Sequence, residues 1–388
     1  MLLAAQIFAW LIALAWLARV LPALRGIPTI PDLRLPEHDL IPAGTPTITV
    51  IVPARNEEKE IRACLESLIA QDYEHTRIIA VDDRSTDATG AIMDSLSSPR
   101  LKTIHFTVLP QGWLGKTHAM ATAADSTDSD FLLFTDGDMF FRPDAIRRAL
   151  AHAVAVGADH LVLGPTTLIR RWDEPMLLAF FQICGLLAVR AWKIADPDAK
   201  DSIGIGAFNL IRTSVYRSLG GFAAQPMAIA EDIELGRRVK AARLAQRFVS
   251  GRTLASVYWA TGARGIIQGM TKNMFSVYRF RIWLALAGSL AMTLLCIAPF
   301  VAVWFRPFTI PSAISIAAIF LGYRAVSRLS GFSAWNALLE PFAAALLIYA
   351  MLRSMALTVA QGGVTWRGTF YSLAELRKHA SKRAQQSP

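Results

Sequence analysis

The chain has 388 residues, 53% of them hydrophobic, and a mean hydropathy of +0.37, which is too apolar for an ordinary soluble protein. The length leaves room for one sizeable domain plus membrane segments. A formal net charge of +10 does not call for nucleic acid, because many Lys and Arg residues flank apolar spans, where they mark the cytoplasmic side and meet anionic lipid.

From the N-terminus, residues 2–24 are nearly all apolar, lack a basic leading region and show no clear small-residue cleavage site, so they read as a retained membrane anchor. Arg19 and Arg25 mark its cytoplasmic end. Residues 25–46 are Pro-rich without a periodic apolar face and read as an extended linker. A soluble domain is expected over 47–263. It opens with the β-branched run Thr47 to Val52, continues with Ile61, Cys64, Leu65, Leu68 and Ile69 at helical spacing, and reaches a second strand that ends in Asp82 and Asp83. A further helix, a strand around Leu101 to Phe106 and an apolar strand starting at Asp130 follow. Strand and helix alternate, with acids at successive strand ends, which predicts an α/β, Rossmann-like nucleotide-binding sheet that is parallel. Neither G-x-G-x-x-G nor G-x-x-x-x-G-K-[ST] follows the first strand, so a dinucleotide or Walker-type site is not expected.

The stretch D-F-L-L-F-T-D-G-D, Asp130 to Asp138, is the centre of this domain. A short buried strand there would deliver Asp136 and Asp138 to the carboxyl edge of the sheet, where two oxygen donors suit a divalent ion that shares its ligands with a diphosphate. The same pattern also fits a tight turn bent at Gly137. Cys64, Cys184 and Cys296 are far apart in sequence and show no C-x-x-C spacing, so neither a zinc site nor a disulfide framework is indicated, and a reducing, cytosolic face fits.

Six short motifs carry a resemblance. V-P-A-R-N-E-E at 52–58, V-D-D-R-S-T-D at 81–87, G-W-L-G-K-T-H-A at 112–119, T-D-G-D at 135–138, G-A-F-N-L-I-R at 206–212 and E-D-I-E-L at 231–235 occur in the order of glycosyltransferase family 2 with the GT-A fold. The match spans about 47–283. Within that family the chain resembles membrane-anchored bacterial enzymes related to ceramide glucosyltransferase and to hopanoid- and carotenoid-associated glycosyltransferases. The stretch 364–377 adds to that likeness.

The resemblance implies that Pro53, Arg55 and Glu57 border the nucleotide, that Asp83 accepts from the uracil imide, and that Asp136 lies by the ribose. Asp138, with Asp136, would hold Mg²⁺ or Mn²⁺. Lys116 would stand near the diphosphate as a point charge. Asp232 would be the catalytic base, although acids at a helix start followed by R-R-V-K are also ordinary macrodipole pairing. Lys272 and Asn209 are further candidates on the diphosphate or acceptor side. Processive members of the family carry Q-x-x-R-W after the base, whereas this chain has Q-G-M-T-K-N at 268–273. The missing Trp favours transfer of a single sugar.

Residues 264–282 interleave Ile266, Ile267, Met270, Met274 and Phe275 with basic residues and read as an interfacial amphipathic helix. The apolar stretch 176–189 fits buried core and membrane interface equally. Over 283–360, spans are expected at 283–305, 308–322 and 337–359, the last containing Glu340, Pro341 and Arg353. A basic tail, 361–388, follows, and a single crossing by 337–359 would put it outside, against the positive-inside expectation. The expected protein is a multi-pass enzyme of the inner (cytoplasmic) membrane with a cytoplasmic catalytic domain. Its partners would be a nucleotide-sugar, UDP-linked as the resemblance implies, a lipid hydroxyl acceptor and the bilayer, with no nucleic acid. A processive polysaccharide synthase and a catalytically silent membrane scaffold of the same fold are the alternatives.

Overall fold

The computed structural model describes residues 1–366, 369–374 and 376–377. The side chains of Lys272 and Asn273 and the tail with Lys378, Lys382 and Arg383 lie outside the described part. The chain divides into two compact units, one of residues 26–168 and 189–258, the other of residues 1–25, 169–188 and 259 onward.

In chain order the elements begin with α1 (Leu2–Gly26), β1 (Ile48–Ala54), α2 (Ile61–Ile69), β2 (Thr76–Asp83), α3 (Thr89–Asp94), β3 (Leu101–Phe106), α4 (Gly115–Asp125) and β4 (Phe131–Phe134). Next come β5 (Met139–Phe141), α5 (Ala145–Ala155), β6 (His160–Gly164), β7 (Thr166–Thr167), α6 (Glu174–Val189), β8 (Asn209–Arg212), α7 (Thr213–Ser218), α8 (Glu231–Ala241), β9 (Gln246–Ser250) and β10 (Ala255–Val257). The rest is helical, α9 (Gly262–Val277), α10 (Ile282–Met292), α11 (Ala298–Ala302), α12 (Thr309–Ser330) and α13 (Glu340–Ala360), except for a hairpin of β11 (Gly363–Trp366) and β12 (Thr369–Ser372).

The unit of residues 26–168 and 189–258 holds a seven-stranded sheet in the order β3-β2-β1-β4-β8-β6-β9. Because side chains alternate along a strand, Ile48, Val50 and Val52 of β1 face one layer with Cys64, Leu65 and Leu68 of α2, whereas Ile51 faces the layer of Ala119, Met120 and Ala123 of α4. Both faces are thus covered, and every residue of β1 is buried. The sheet is mixed rather than parallel. β8 runs antiparallel to both β4 and β6, so strand alternation alone does not give its direction. A second, three-stranded sheet, β5-β10-β7, takes the chain onward from the Asp136–Asp138 turn.

The stretch 25–46 is laid on this unit. Leu33 is fully buried in the sheet core, its N–H donates to the Ser250 carbonyl at 2.8 Å, and the Ser250 N–H returns a bond to Pro31 at 2.8 Å. The prolines remove donors here, so the segment pairs only at single positions instead of forming a strand.

The other unit is a set of apolar helices. Five helical segments of the described chain are long and apolar enough to cross a membrane: Leu2–Thr29, Glu174–Lys193, Ile282–Ala302, Arg306–Ser330 and Ala334–Ala360. Two details go beyond the sequence reading. Residues 174–188 group with these helices and not with the sheet: Gly322 of α12 lets Ile183 and Val20 approach closely, and Arg19 donates to the Ala188 carbonyl at 3.1 Å. The second span does not stop at 322, since α12 continues through Arg324 and Arg328 to Ser330, where Gly331 in the left-handed region ends it. α9 is bound to α13 by the Phe275 N–H, which donates to Ser354 Oγ at 3.1 Å, and by Arg353, which donates to Thr271 Oγ1 at 3.3 Å.

Candidate active site

The sheet brings most of the sequence-selected residues to one edge. Parallel strands β1, β2 and β4 end together, so the loops after each of them, 55–58, 84–89 and 135–138, are neighbours. Asn56 and Arg84 take left-handed backbone conformations, φ +58° in each, that turn the chain sharply off β1 and β2. The two loops are stapled: the Asn56 N–H donates to Ser85 Oγ at 3.1 Å, the Thr86 N–H to Asn56 Oδ1 at 2.8 Å, and the Glu57 N–H to Thr89 Oγ1 at 2.8 Å. Pro53 is the buried penultimate residue of β1, and Arg55 and Glu57 follow in this stapled turn.

Asp83, the last residue of β2, is 1% exposed and accepts two bonds from Arg84, from Nε at 2.7 Å and from Nη2 at 3.2 Å. α4 starts directly against it. A Cβ on Gly115 would lie 1.8 Å from Asp83 Oδ2, so only glycine lets the helix start this close.

One residue further on, Lys116 is the hub of the site. Its Nζ is 2.7 Å from Asp136 Oδ1 and 2.6 Å from Glu231 Oε1, with 25% of its side chain exposed. Burial works against this ammonium, but Asp136, Glu231 and Asp232 outweigh it and raise its pKa above the ordinary lysine value. α4 is also tied to the loop before α8, because the Leu114 N–H and Thr117 Oγ1 both donate to the Pro226 carbonyl, at 2.9 and 2.6 Å. Gln225 Nε2 in turn holds the Glu231 carbonyl at 2.8 Å.

Asp232 is oriented by backbone. Its Oδ2 accepts from the Gly206 N–H at 2.7 Å and its Oδ1 from the Ile233 N–H at 2.8 Å. The approach depends on glycines: a Cβ on Gly204 would fall 1.8 Å from the Asp232 carbonyl oxygen, and one on Gly236 would fall 2.0 Å from that of Ile203. Burial and the charge of Glu231 push the Asp232 carboxyl above the usual carboxylate range, which suits a group that accepts a proton near neutral pH.

Asp138 closes the constellation. Burial and the charge of Asp136 push its carboxyl up to about 6. Two carboxylates one residue apart, one of them costly to ionise, form a donor set that a divalent cation would relieve. Among the described residues no group of three or more His, Cys, Asp or Glu side chains could hold a metal ion, so an ion at Asp136 and Asp138 would draw further ligands from a diphosphate or water.

Asn209, the first residue of β8, is 1% exposed, and its Oδ1 is hydrogen-bonded to His160 Nε2, whose other ring nitrogen meets Gln246 Nε2 at 2.9 Å. The side chain of Lys272 lies outside the described part. Sequence reasoning missed Glu231 as a partner of Lys116, since an acid in the first turn of a helix looks like macrodipole pairing. It also missed Gly204, Gly206 and Gly236, whose roles depend on a segment about thirty residues away in sequence from Gly236.

Residues 49–217 match the family described as glycosyl transferase family 2. The chain is 25% identical over 240 residues to the 4,4'-diaponeurosporenoate glycosyltransferase of Staphylococcus haemolyticus, an alignment that covers 59% of this chain and 61% of the relative. To the protein of the same description from Staphylococcus aureus it is 24% identical over 344 residues, covering 84% of this chain and 89% of the relative. Among solved structures it is similar to the mannosyltransferase PcManGT from Pyrobaculum calidifontis in complex with GDP-Man and Mn²⁺, with a TM-score of 0.51, 18% identity, and coverage of 89% and 99%. At that identity the likeness shows the fold.

Proposed function

We propose that this chain, a member of glycosyltransferase family 2, is a membrane-bound inverting enzyme that moves one sugar from a UDP-sugar to a hydroxyl of a membrane lipid. The observation that carries the reading is Lys116, held between Asp136 and Glu231 beside the backbone-oriented Asp232. This arrangement supports a role for the ammonium at a departing diphosphate and for the nearby carboxylate as proton acceptor.

In the reaction, Asp232 takes the proton of the acceptor hydroxyl, the new bond forms from that oxygen to the anomeric carbon, and the old bond to the diphosphate oxygen breaks. The nucleoside diphosphate leaves with the bonding electron pair. The two backbone N–H groups fix the orientation of Asp232 and leave each carboxylate oxygen further capacity to accept. Lys116 offers its charge to the diphosphate, exchanging part of its pairing with Asp136 and Glu231. Asp138, with Asp136, would hold Mg²⁺ or Mn²⁺, which when bound neutralises charge on the leaving diphosphate. PcManGT carries Mn²⁺ with its nucleotide-sugar, which supports a divalent ion here. Asp83 would read the base once Arg84 yields its place on the carboxylate.

The lipid acceptor is supported by the five long apolar helices, by the basic residues of 264–281, and by relatives described as glycosyltransferases of 4,4'-diaponeurosporenoate. A soluble acceptor would give no reason for so much apolar helix on both sides of one catalytic domain in the sequence. The basic flanks favour a cytoplasmic catalytic face. The test supplies labelled UDP-sugars, with GDP-mannose in parallel, and Mn²⁺ to enzyme in nanodiscs of host lipid extract, and separates products by polarity. Label in a discrete lipid carrying one sugar is the expected result. Label only in a long polymer, or only in aqueous products, overturns the reading.

A further inference from the structure

The helical unit contains a carboxyl group that nothing in the catalytic chemistry uses. Glu340, at the start of α13, is fully buried, and among the described residues its side-chain oxygens meet no donor stronger than the Cys296 thiol. Tyr323 of α12, 3% exposed, is close to it and has a hydroxyl with no partner among the described residues. Cys296 and Cys184 complete the neighbourhood, and a thiol is only a weak donor. A buried polar group in an apolar helical unit is costly unless satisfied, and a carboxyl that meets nothing stronger than a thiol is an uncommon arrangement.

The helix on one side of this group is also irregular. Between α10 and α11, residues Thr293–Ile297 form a π turn that carries Cys296. The Leu295 carbonyl within it is taken up by Trp16 Nε1 at 3.0 Å. Such turns shift the side chains that follow them out of regular register and recur at functional sites. Glu340, Tyr323 and the π turn therefore converge from three helical segments, and two incompletely satisfied polar groups point to a missing partner that both donates and accepts.

We propose that Glu340 and Tyr323 form a binding site for a polar group on the apolar acceptor other than the hydroxyl that Asp232 deprotonates. The inference rests on the lipid-acceptor reading above. A neutral hydroxyl satisfies the site without bringing in charge: it donates to a Glu340 oxygen and accepts from the Tyr323 hydroxyl, and a carboxyl terminus offers the same pair of bonds. Glu340 and Tyr323 bind and orient the acceptor, and neither takes part in bond making.

The experiment uses full-length enzyme in nanodiscs where host lipid extract is titrated into an inert phosphatidylcholine matrix, with one labelled UDP-sugar as donor. Glu340→Leu keeps the volume and removes the polar atoms. It is expected to raise the acceptor KM about 10-fold or more, the effect of losing a hydrogen bond inside a dry site, while the donor KM moves by less than about 2-fold. Tyr323→Phe should raise the acceptor KM in the same direction, and Glu340→Gln, which keeps a donor and an acceptor, should stay within about 3-fold of wild type. If Glu340→Leu does not fold, Tyr323→Phe against Glu340→Gln decides by the same KM comparison. A Glu340→Leu enzyme with an unchanged acceptor KM and an equal or higher melting temperature overturns the site, because an apolar filler would then do as well as the glutamate. If wild-type enzyme labels no lipid, the functional reading falls and the site falls with it.

Discussion

At the carboxyl edge of the sheet, Asp136 and Glu231 flank one ammonium at 2.7 and 2.6 Å and two backbone N–H groups hold Asp232, whereas in the helical unit Glu340 is fully buried and meets no donor stronger than a thiol among the described residues. Both neighbourhoods concentrate polar groups in apolar surroundings, where an unmet polar group is expensive. The first meets the cost internally, with charge against charge and helix start against carboxylate. The second leaves most of it unmet. A site whose charges already have partners is poised for chemistry, since a charged substrate exchanges partners there instead of creating a polar setting. A site with unmet partners is poised for binding, since the ligand itself completes the bonding.

The largest expected effect lies at the carboxylate pair proposed to hold the metal. Asp138→Asn should lower metal-dependent turnover by about 10³-fold or more, because charge on the departing diphosphate loses its stabilisation. Steady-state rates with Mn²⁺ and with a chelator check this, and full wild-type activity in chelator would sink it. Asp232→Asn comes next, with turnover down at least about 10²-fold and donor affinity nearly intact, because the group acts on the acceptor. Calorimetric titration with the UDP-sugar separates the two effects, and parallel loss of donor binding would move Asp232 to the donor side. Smaller again is Glu231→Gln. It removes one of the two anions around Lys116 and should cost about 10-fold in kcat/KM for the donor, through position rather than chemistry. A variant within about 2-fold of wild type would show that Asp136 alone sets the lysine.

The smallest effect sharpens the contrast through stability. Burial and Asp136 push the Asp138 carboxyl from an ordinary 3.8 up to about 6. The folded state therefore holds this proton more tightly than the unfolded chain, and stability falls as pH rises from about 4 to about 6. At neutral pH the ionised group is a net liability in metal-free protein. Asp138→Asn should then be more stable than wild type by about 1–3 kcal/mol at pH 7.5, a gain that fades as pH falls toward 4. Thermal melts in chelator across that range read it directly, and a variant less stable at pH 7.5 would contradict it.

The sequence by itself determined the parts that depend on local pattern. Five buried residues of a β-branched run, Ile48 to Val52, form a central strand because no charged residue interrupts them. Acids at the ends of β2 and β4 arrive at one edge because parallel strands end together. The long apolar runs are helices because such runs must bond their backbone internally. Other features have no local signature. Glu231 and Asp232 look alike in sequence, yet the fold gives the first to Lys116, 115 positions away, and the second to the N–H of Gly206. Asn209 stands in the same motif as Gly206, and strand alternation buries it against His160. The apolar stretch 174–188 has a composition that fits core or membrane, and only its approach to Gly322 and the bond from Arg19 to the Ala188 carbonyl assign it to the helical unit. Periodicity records which face of an element is apolar. Which element covers that face, and which side chain meets which charge, is decided by close approaches that single glycines permit and that no local pattern announces.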